Sequence, residues 1–175
     1  MPQIAYAQEG HEAQGATPYY NAMKQGLGVV PNVMKLVGHS GPATETMGTM
    51  LDAYFNKLSI DAKLREIAYL TVAKYNGCGY CQGHHVPAGK QAGLSDGQIE
   101  QLNESGFNSS DFTSAEQAVI RFAYETTRDV AASQEALDAL KKHYDEQAIA
   151  EIAFVVATGN FIQRIGKNLG AELEG

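Results

Sequence analysis

Helix start and stop signals recur at short intervals along this chain, and they restrict its fold more than any other feature. Residues suited to capping a helix, or a proline suited to its first turn, precede the segments, and glycine follows several of them. No segment of four to eight residues alternates as a strand would. The sequence therefore predicts an all-α helical bundle with short connections. The expected caps or first residues are Thr17, Asn32, Pro42, Ser59, Gly79, Ser95, Thr113, Ser133 and Asp145.

The last expected helix, residues 146–168, has the clearest apolar stripe. Apolar residues recur in it at helical spacing, which indicates one buried face. The members of the stripe are Ile149, Ile152, Ala153, Val156 and Ala157. Residues 150–154 in this helix also resemble residues 65–69 in an earlier one. An internal duplication of a helical unit would explain the match, and so would chance similarity between two amphipathic helices.

The chain has 175 residues, enough for one domain with its own core. Residues 1–16 are polar and lack an apolar period, so we expect a flexible N-terminal arm or a strap over a neighbouring subunit. Residues 17–175 are expected to form a single helical domain.

Charge and composition exclude several classes of protein. Thirteen Lys and Arg against 20 Asp and Glu give a net charge of −7, which argues against nucleic acid or an anionic membrane as a partner. No run approaches the ~20 apolar residues of a membrane span, and the start lacks the features of a secretory signal. A cytoplasmic location is expected. No phosphate-binding glycine loop is present, so no cofactor is expected.

Cys78 and Cys81 are the only two cysteines, and two residues separate them. At the start of a helix, such a pair can close a disulfide and reopen it with little backbone movement. The helix N-terminus also stabilises a thiolate, which lowers the pKa of a thiol there. In a reducing compartment the spacing is therefore typical of a redox site.

Two further residues can manage the protons of these thiols. His85 lies four residues after Cys81, so the two share a helix face, and an imidazole can accept the Cys81 proton. Glu66 belongs to the preceding helix and shares its face with Tyr69 and Leu70, where a carboxylate without a partner is costly. A histidine from the adjacent helix would supply that partner. The predicted relay is Glu66 orienting His85, and His85 serving Cys81.

Other interpretations of the same residues stay open. Free cysteines also serve as small buried hydrophobes. A zinc ion could bind Cys78, Cys81 and either His84 or His85, although the usual second pair of ligands is absent. His84 could also compete for the role of His85. The redox interpretation is preferred, and no bound metal is expected.

The spacing of these residues resembles the core motif of the carboxymuconolactone decarboxylase superfamily. The resemblance is to its alkylhydroperoxidase D (AhpD)-like branch and to the peroxidase-related subgroup. The motif is a Glu, eleven residues, Cys-x-x-Cys, three residues and a His, and it is matched by Glu66, Cys78, Cys81 and His85. Similarity extends over about residues 17–170.

The resemblance implies an all-α fold, assembly into trimers or hexamers, and reduction of organic hydroperoxides. Cys81 would attack the peroxide, Cys78 would condense with the resulting sulfenic acid, and a lipoyl group or a thioredoxin-like protein would reduce the disulfide. Some members carry a His where this chain has Tyr80. A phenol is a poor base at neutral pH, but it can donate a hydrogen bond to a thiolate. Thioredoxin chemistry would instead make Cys78 the nucleophile.

Two other classes of function compete with an oxidoreductase. A decarboxylase-type lyase of the same superfamily acts without a cysteine pair. A non-catalytic scaffold would use the dithiol only to sense redox state. All three predict the same bundle, and the cysteine pair favours the oxidoreductase.

Overall fold

The computed structural model of the protein describes residues 1–175, and every regular element in it is a helix. The all-α prediction is confirmed. Short 3-10 helices occur at Gln14–Ala16 and Glu104–Asn108. The α-helices are α1 (Thr17–Leu27), α2 (Asn32–Val37), α3 (Gly41–Asn56), α4 (Ala62–Tyr75), α5 (Gly79–Gln91), α6 (Asp96–Glu100), α7 (Ser114–Asp129), α8 (Gln134–Lys141) and α9 (Glu146–Leu169).

Most of the helix starts lie where the capping residues predict them. The side chains of Ser95 and Thr113 each form a complete capping box with the residue three positions later. Ser133 caps α8, and the Asp145 carboxylate accepts a hydrogen bond from the Ala148 N–H at the start of α9. These boundaries were predictable because the capping partners are only three residues apart.

The cap of α4 is Asp61, not Ser59 as the sequence suggests. The Asp61 side chain accepts a hydrogen bond from the Leu64 N–H at 2.8 Å. Ser59 instead binds Glu151 of α9, whose Oε2 accepts from the backbone N–H groups of Ser59 and Ile60 at 2.7 and 3.0 Å. The competing partner of Ser59 lies far away in the sequence, so local spacing did not reveal it.

Two compact units make up the chain: Met1–Leu58 with Arg164–Gly175, and Ser59–Gln163. The single domain expected over residues 17–175 stays a prediction, because compactness alone does not define a folding unit. All the predicted site residues belong to the second unit.

In the first unit, backbone groups hold the segment that was expected to be a flexible arm. The Ala7 N–H donates to the Lys35 carbonyl at 3.0 Å, and the Ala13 N–H donates to the Gly38 carbonyl at 2.9 Å. Ala7 is also buried. Residues 1–16 therefore lie against their own unit. Backbone hydrogen bonds require no apolar period, which explains why the sequence did not indicate this packing.

In the second unit, α4 is the central helix. It packs against both α5 and α7. Nearly every residue from Leu64 to Ala73 is buried, so this helix has no solvent-facing side over that stretch. Any functional side chain on α4 is therefore held in a dry and rigid environment.

Helix α9 buries a face close to the predicted one. Ile152 and Val156 are buried as predicted, but Val155 is buried and Ala157 is exposed, so the stripe is partly wrong. By length and composition alone, α9 could cross a membrane, and 39% of its most apolar window is buried. Core helices of soluble proteins have the same length and composition, so a single helix of this kind is weak evidence for a membrane span. The cytoplasmic location stays a prediction.

Glu125 of α7 fixes the start of α8. Its buried carboxylate accepts hydrogen bonds from Arg121 Nε at 2.9 Å and from the Ser133 N–H at 2.8 Å. Burial raises the pKa of Glu125, but the bonds from Arg121 and Ser133 outweigh it and hold that pKa below its ordinary value. The charged form of Glu125 therefore stabilises the fold.

We predict that Glu125→Gln lowers the free energy of unfolding by about 2 kcal/mol at neutral pH. The contribution is present above the ordinary carboxylate pKa and is lost as the pH falls through the lowered folded value, so the difference from wild type should shrink below about pH 4. Urea unfolding of wild type and variant at neutral pH and below about pH 4 measures this difference in stability. Glu135→Gln is the control, because the exposed Glu135 carboxylate binds the same Arg121 at 2.7 Å. Glu135→Gln should lower the free energy of unfolding by less than about 0.5 kcal/mol. Equal losses of stability in the Glu125 and Glu135 variants would contradict the role of burial.

Candidate functional site

The turn between α4 and α5 determines where the cysteines lie. Gly77 has φ 60°, a left-handed conformation that favours glycine. Its N–H donates to the Lys74 carbonyl, and the Cys78 N–H donates to the Ala73 carbonyl, which together form a Schellman motif. Cys78 is also the N-cap residue of α5. One residue thus ends the closing motif of α4 and begins α5.

Cys78 and Cys81 are joined by a disulfide. Their Cα atoms are 5.3 Å apart, and the two residues are only 1% and 2% exposed. The Cys78 Sγ accepts a hydrogen bond from the Cys81 N–H at 3.3 Å. The Cys78 sulfur therefore lies at the N-terminus of α5, where helix amides stabilise a thiolate after reduction. Cys81 lies one helical turn before His85.

Glu66 and His85 form a buried pair between α4 and α5. His85 Nδ1 is 2.8 Å from Glu66 Oε2, and Glu66 is 3% exposed. A carboxylate only accepts hydrogen bonds, so Nδ1 carries the proton in this pair. Nε2 is then the ring nitrogen that can accept a proton. The structure brings together Glu66 and His85, the first two members of the predicted relay, one on each helix.

Tyr69 stacks on the ring of His85. The ring centroids are 3.7 Å apart and the planes are inclined by 20°. Burial raises the pKa of Tyr69 and the Glu66 charge raises it further, although a hydrogen bond with Gln163 lowers it. The phenol therefore stays protonated across the physiological range. From the sequence, Tyr69 was expected in the apolar surroundings of Glu66 and in the core or a subunit interface. The stack on His85 was not predicted, although the position of Tyr69 three residues after Glu66 is the signal that could have indicated it.

A chain of amides, of which Gln163 is buried and Asn76 and Asn160 are partly buried, lies beside the cysteine turn and was not predicted. Asn76 Nδ2 donates to Gln163 Oε1 at 2.8 Å and to Asn160 Oδ1 at 3.1 Å. Asn160 Nδ2 in turn donates to Thr127 Oγ1 at 3.1 Å. These contacts connect the end of α4 with α9 and α7. The partners are far apart in sequence, so no local spacing predicts them.

Close approach of α5 to α4 depends on Gly89. A Cβ atom at this position would lie 3.1 Å from Leu70 Cδ1 and 3.2 Å from Leu94 Cδ1, tighter than ordinary packing. It would also contact the Glu66 Cβ at 3.8 Å. The glycine lies four residues after His85, and it therefore permits the short distance across which the histidine reaches Glu66.

The supporting residues Tyr80 and His84 form a second aromatic pair on α5. Their rings meet edge to face, with centroids 4.8 Å apart. His84 is exposed, whereas His85 is largely buried. The structure therefore joins Glu66 to His85, while His84 packs with Tyr80.

Zinc binding by the cysteine pair would require two thiolates. In this structure the two sulfurs are bonded to each other. The residues also contain no group of three or more His, Cys, Asp or Glu side chains placed to hold a metal ion. The geometry thus gives the zinc alternative no support.

Comparison with known proteins agrees with this geometry. Residues 43–125, which include the whole motif, match the model of the carboxymuconolactone decarboxylase family. No curated protein matches the sequence.

Several solved structures share the fold at low sequence identity. An uncharacterized peroxidase-related protein with an alkylhydroperoxidase AhpD core, from Ralstonia eutropha JMP134, has a TM-score of 0.83 and 16% identity, covering 99% of this chain and 92% of its own. A peroxidase-related protein from Silicibacter sp. TM1040 has a TM-score of 0.80 and 19% identity, covering 99% and 94%. The debrominase Bmp8, in complex with 2,3,4-tribromopyrrole, has a TM-score of 0.81 and 20% identity, covering 100% and 95%.

The structural likenesses alone show the fold. Together with the family match and the motif, they lead to one conclusion: residues 43–125 are a carboxymuconolactone decarboxylase family region, and the chain has the AhpD-like fold.

Proposed function

We propose that this protein is a thiol oxidoreductase that reduces organic hydroperoxides through Cys78 and Cys81. The observation that carries the proposal is a Cys-x-x-Cys disulfide on the same helix as a histidine bound to a buried carboxylate. The family match indicates an enzyme. The dithiol supplies two electrons, and the Glu66–His85 pair supplies a route for the proton.

In the first step, His85 Nε2 takes the proton of the Cys81 thiol while Glu66 stabilises the resulting imidazolium. The Cys81 thiolate then attacks one peroxide oxygen. A sulfur–oxygen bond forms, the oxygen–oxygen bond breaks, and the alkoxide leaves as an alcohol with the proton from His85. The peroxide gains two electrons, and Cys81 becomes a sulfenic acid.

In the second step, the Cys78 thiolate attacks the Cys81 sulfur. The disulfide forms, the sulfur–oxygen bond breaks, and hydroxide leaves and becomes water on protonation. The N-terminus of α5 stabilises the Cys78 thiolate, which suits this residue to attack here and to leave when the disulfide is reduced. Cys81 shares a helix face with His85, and we therefore assign the first attack to Cys81 and not to Cys78.

An external dithiol closes the cycle. We propose a lipoyl group or a thioredoxin-like protein as the reductant, because each exchanges two thiols for a disulfide. Both cysteines are nearly inaccessible, with residue exposures of 1% and 2%. This favours the thin lipoyl arm over the surface of a folded protein.

A brominated aromatic ring is a second candidate substrate, because the structurally similar debrominase Bmp8 binds 2,3,4-tribromopyrrole. Replacing a carbon–bromine bond by carbon–hydrogen consumes two electrons and one proton and releases bromide. A dithiol that becomes a disulfide supplies these electrons, and one of its two protons goes to solvent. A lyase reaction would not consume the dithiol, so lyase activity should persist when either cysteine is substituted.

Peroxide should remove both thiols of the reduced protein together. Reduced wild type treated with cumene hydroperoxide should lose two thiols, and Cys78→Ser should stop at a sulfenic acid on Cys81 that dimedone traps. Cys81→Ser should not react. Mass spectrometry reads all three results, and bromide release from 2,3,4-tribromopyrrole tests the second substrate.

A dimedone adduct on Cys78 in the Cys81→Ser variant would reverse the assigned order of attack. Survival of both wild-type thiols in excess cumene hydroperoxide would contradict peroxide reduction itself.

Removing the proton route should slow alkylation of Cys81 near neutral pH. In the Cys78→Ser background, we predict that His85→Ala slows iodoacetamide labelling by about tenfold or more, and Glu66→Gln by about threefold. His84→Ala is the matched control and should leave the rate unchanged, because His84 is the exposed neighbour. Equal rates in the His85 and His84 variants would remove His85 from the mechanism.

We also propose that the chain assembles with copies of itself, as a trimer or hexamer. Apolar residues at positions 150, 154, 157 and 161 of α9 follow the spacing of a coiled-coil seam, and Phe161 is 43% exposed. An exposed apolar row of this kind suits pairing with another copy.

Phe161→Glu should therefore reduce the assembled mass measured by size-exclusion chromatography with light scattering. Leu27→Glu is the control, because Leu27 is an exposed apolar residue outside this row. A wild-type protein that elutes as a monomer, or an unchanged mass in Phe161→Glu, would contradict this interface.

A further inference from the structure

We propose that Tyr69, Gln163 and Asn76 form a positioning system that ties the His85 ring to the turn carrying Cys78. The inference rests on the proposed function, in which His85 serves Cys81. It assigns no catalytic role to the three residues, because they act through His85 and through the cysteine turn.

The first part of the system is the stack on His85. Glu66 fixes the imidazole by its Nδ1 edge, and Tyr69 covers one face at a centroid distance of 3.7 Å. The two residues are three apart on α4, so a single turn of this helix holds the ring in both directions. An aromatic face also attracts a cation. Tyr69 therefore favours the imidazolium that forms when His85 takes a proton.

The second part leads from Tyr69 to α9. The Tyr69 ring and the Gln163 amide lie side by side at Gly159 of α9, where an added Cβ would be 3.4 Å from Tyr69 Cδ2 and 3.3 Å from Gln163 Nε2, and Gln163 is 1% exposed. The Gln163 Oε1 accepts from Asn76 Nδ2 at 2.8 Å. A buried polar group is costly unless it is bonded, so the bond with Asn76 restricts the buried Gln163 side chain.

The third part is the turn itself. Asn76 is the C-cap residue of α4 and directly precedes Gly77 and Cys78. Its amide binds both Gln163 and Asn160 of α9. When the disulfide opens, the covalent link between Cys78 and Cys81 is lost, and the Asn76 amide still anchors the turn. The anchored turn keeps the two thiols close enough to bond again, which raises their effective concentration.

Two separable effects follow from this arrangement. Tyr69→Leu removes the stack, so it should slow Cys81 alkylation near neutral pH by about threefold or more in the Cys78→Ser background. It should also alter the pH titration of the His85 ring nitrogens, observed by ¹⁵N NMR. Tyr69→Phe keeps the stack and should restore both properties.

Asn76→Ala removes the anchor, so it should shift the equilibrium with dithiothreitol toward the reduced protein by about threefold to tenfold. The matched control is Tyr75→Leu on the same helix, since the Tyr75 ring packs on Tyr124 and not on His85. Tyr75→Leu should change neither the rate of Cys81 alkylation nor the dithiol equilibrium. Circular dichroism and urea unfolding verify that each variant folds.

An unchanged His85 titration in Tyr69→Leu, or an unchanged dithiol equilibrium in Asn76→Ala, would overturn the positioning system. Neither measurement uses a peroxide. If these shifts occur in a protein whose thiols survive cumene hydroperoxide, the proposed function fails and the positioning system stands. If wild type consumes the peroxide and the variants show no shift, only the positioning system fails.

Discussion

The buried carboxylate of Glu66 is the interaction on which the arrangement of α4 and α5 depends. A charge at 3% exposure is costly inside a protein unless a partner satisfies it, and His85 is the partner that the structure shows. For the pair to meet, α5 must lie close to α4, and Gly89 leaves the room for this. The Glu66–His85 contact therefore links the packing of the two helices to the candidate site.

Local signals carried most of what the sequence could predict. Capping residues lie within three positions of the groups they bind, and Cys78, Cys81 and His85 follow one another within two turns of one helix, so their relations could be read from spacing. Contacts between segments distant in the sequence could not be predicted from spacing. The binding of Ser59 by Glu151 and the amide chain from Asn76 depend on how α9 packs, which no local pattern encodes.

The two sulfurs have different electrostatic surroundings. Cys78 lies at a helix N-terminus, and Cys81 lies a turn away from His85. In the proposed mechanism, this asymmetry assigns the attack on the substrate to Cys81, and the attack on the oxidised Cys81 to Cys78. The AhpD-like fold also occurs in a debrominase, so the fold alone does not select the electron acceptor. The choice of electron acceptor must therefore depend on which molecules can reach the two buried cysteines.

Cys78 is both the last residue of the Schellman motif that ends α4 and the N-cap residue of α5. The connection between the two helices therefore has no additional residues. The eleven residues between Glu66 and Cys78 consequently fix the orientation of Glu66 relative to the cysteine turn. One residue inserted between Glu66 and the end of α4 would rotate Glu66 by about 100° relative to the cysteine turn and carry its carboxylate off the side that faces α5. Insertions and deletions in this stretch should therefore be far less tolerated than substitutions on the exposed surface of α5.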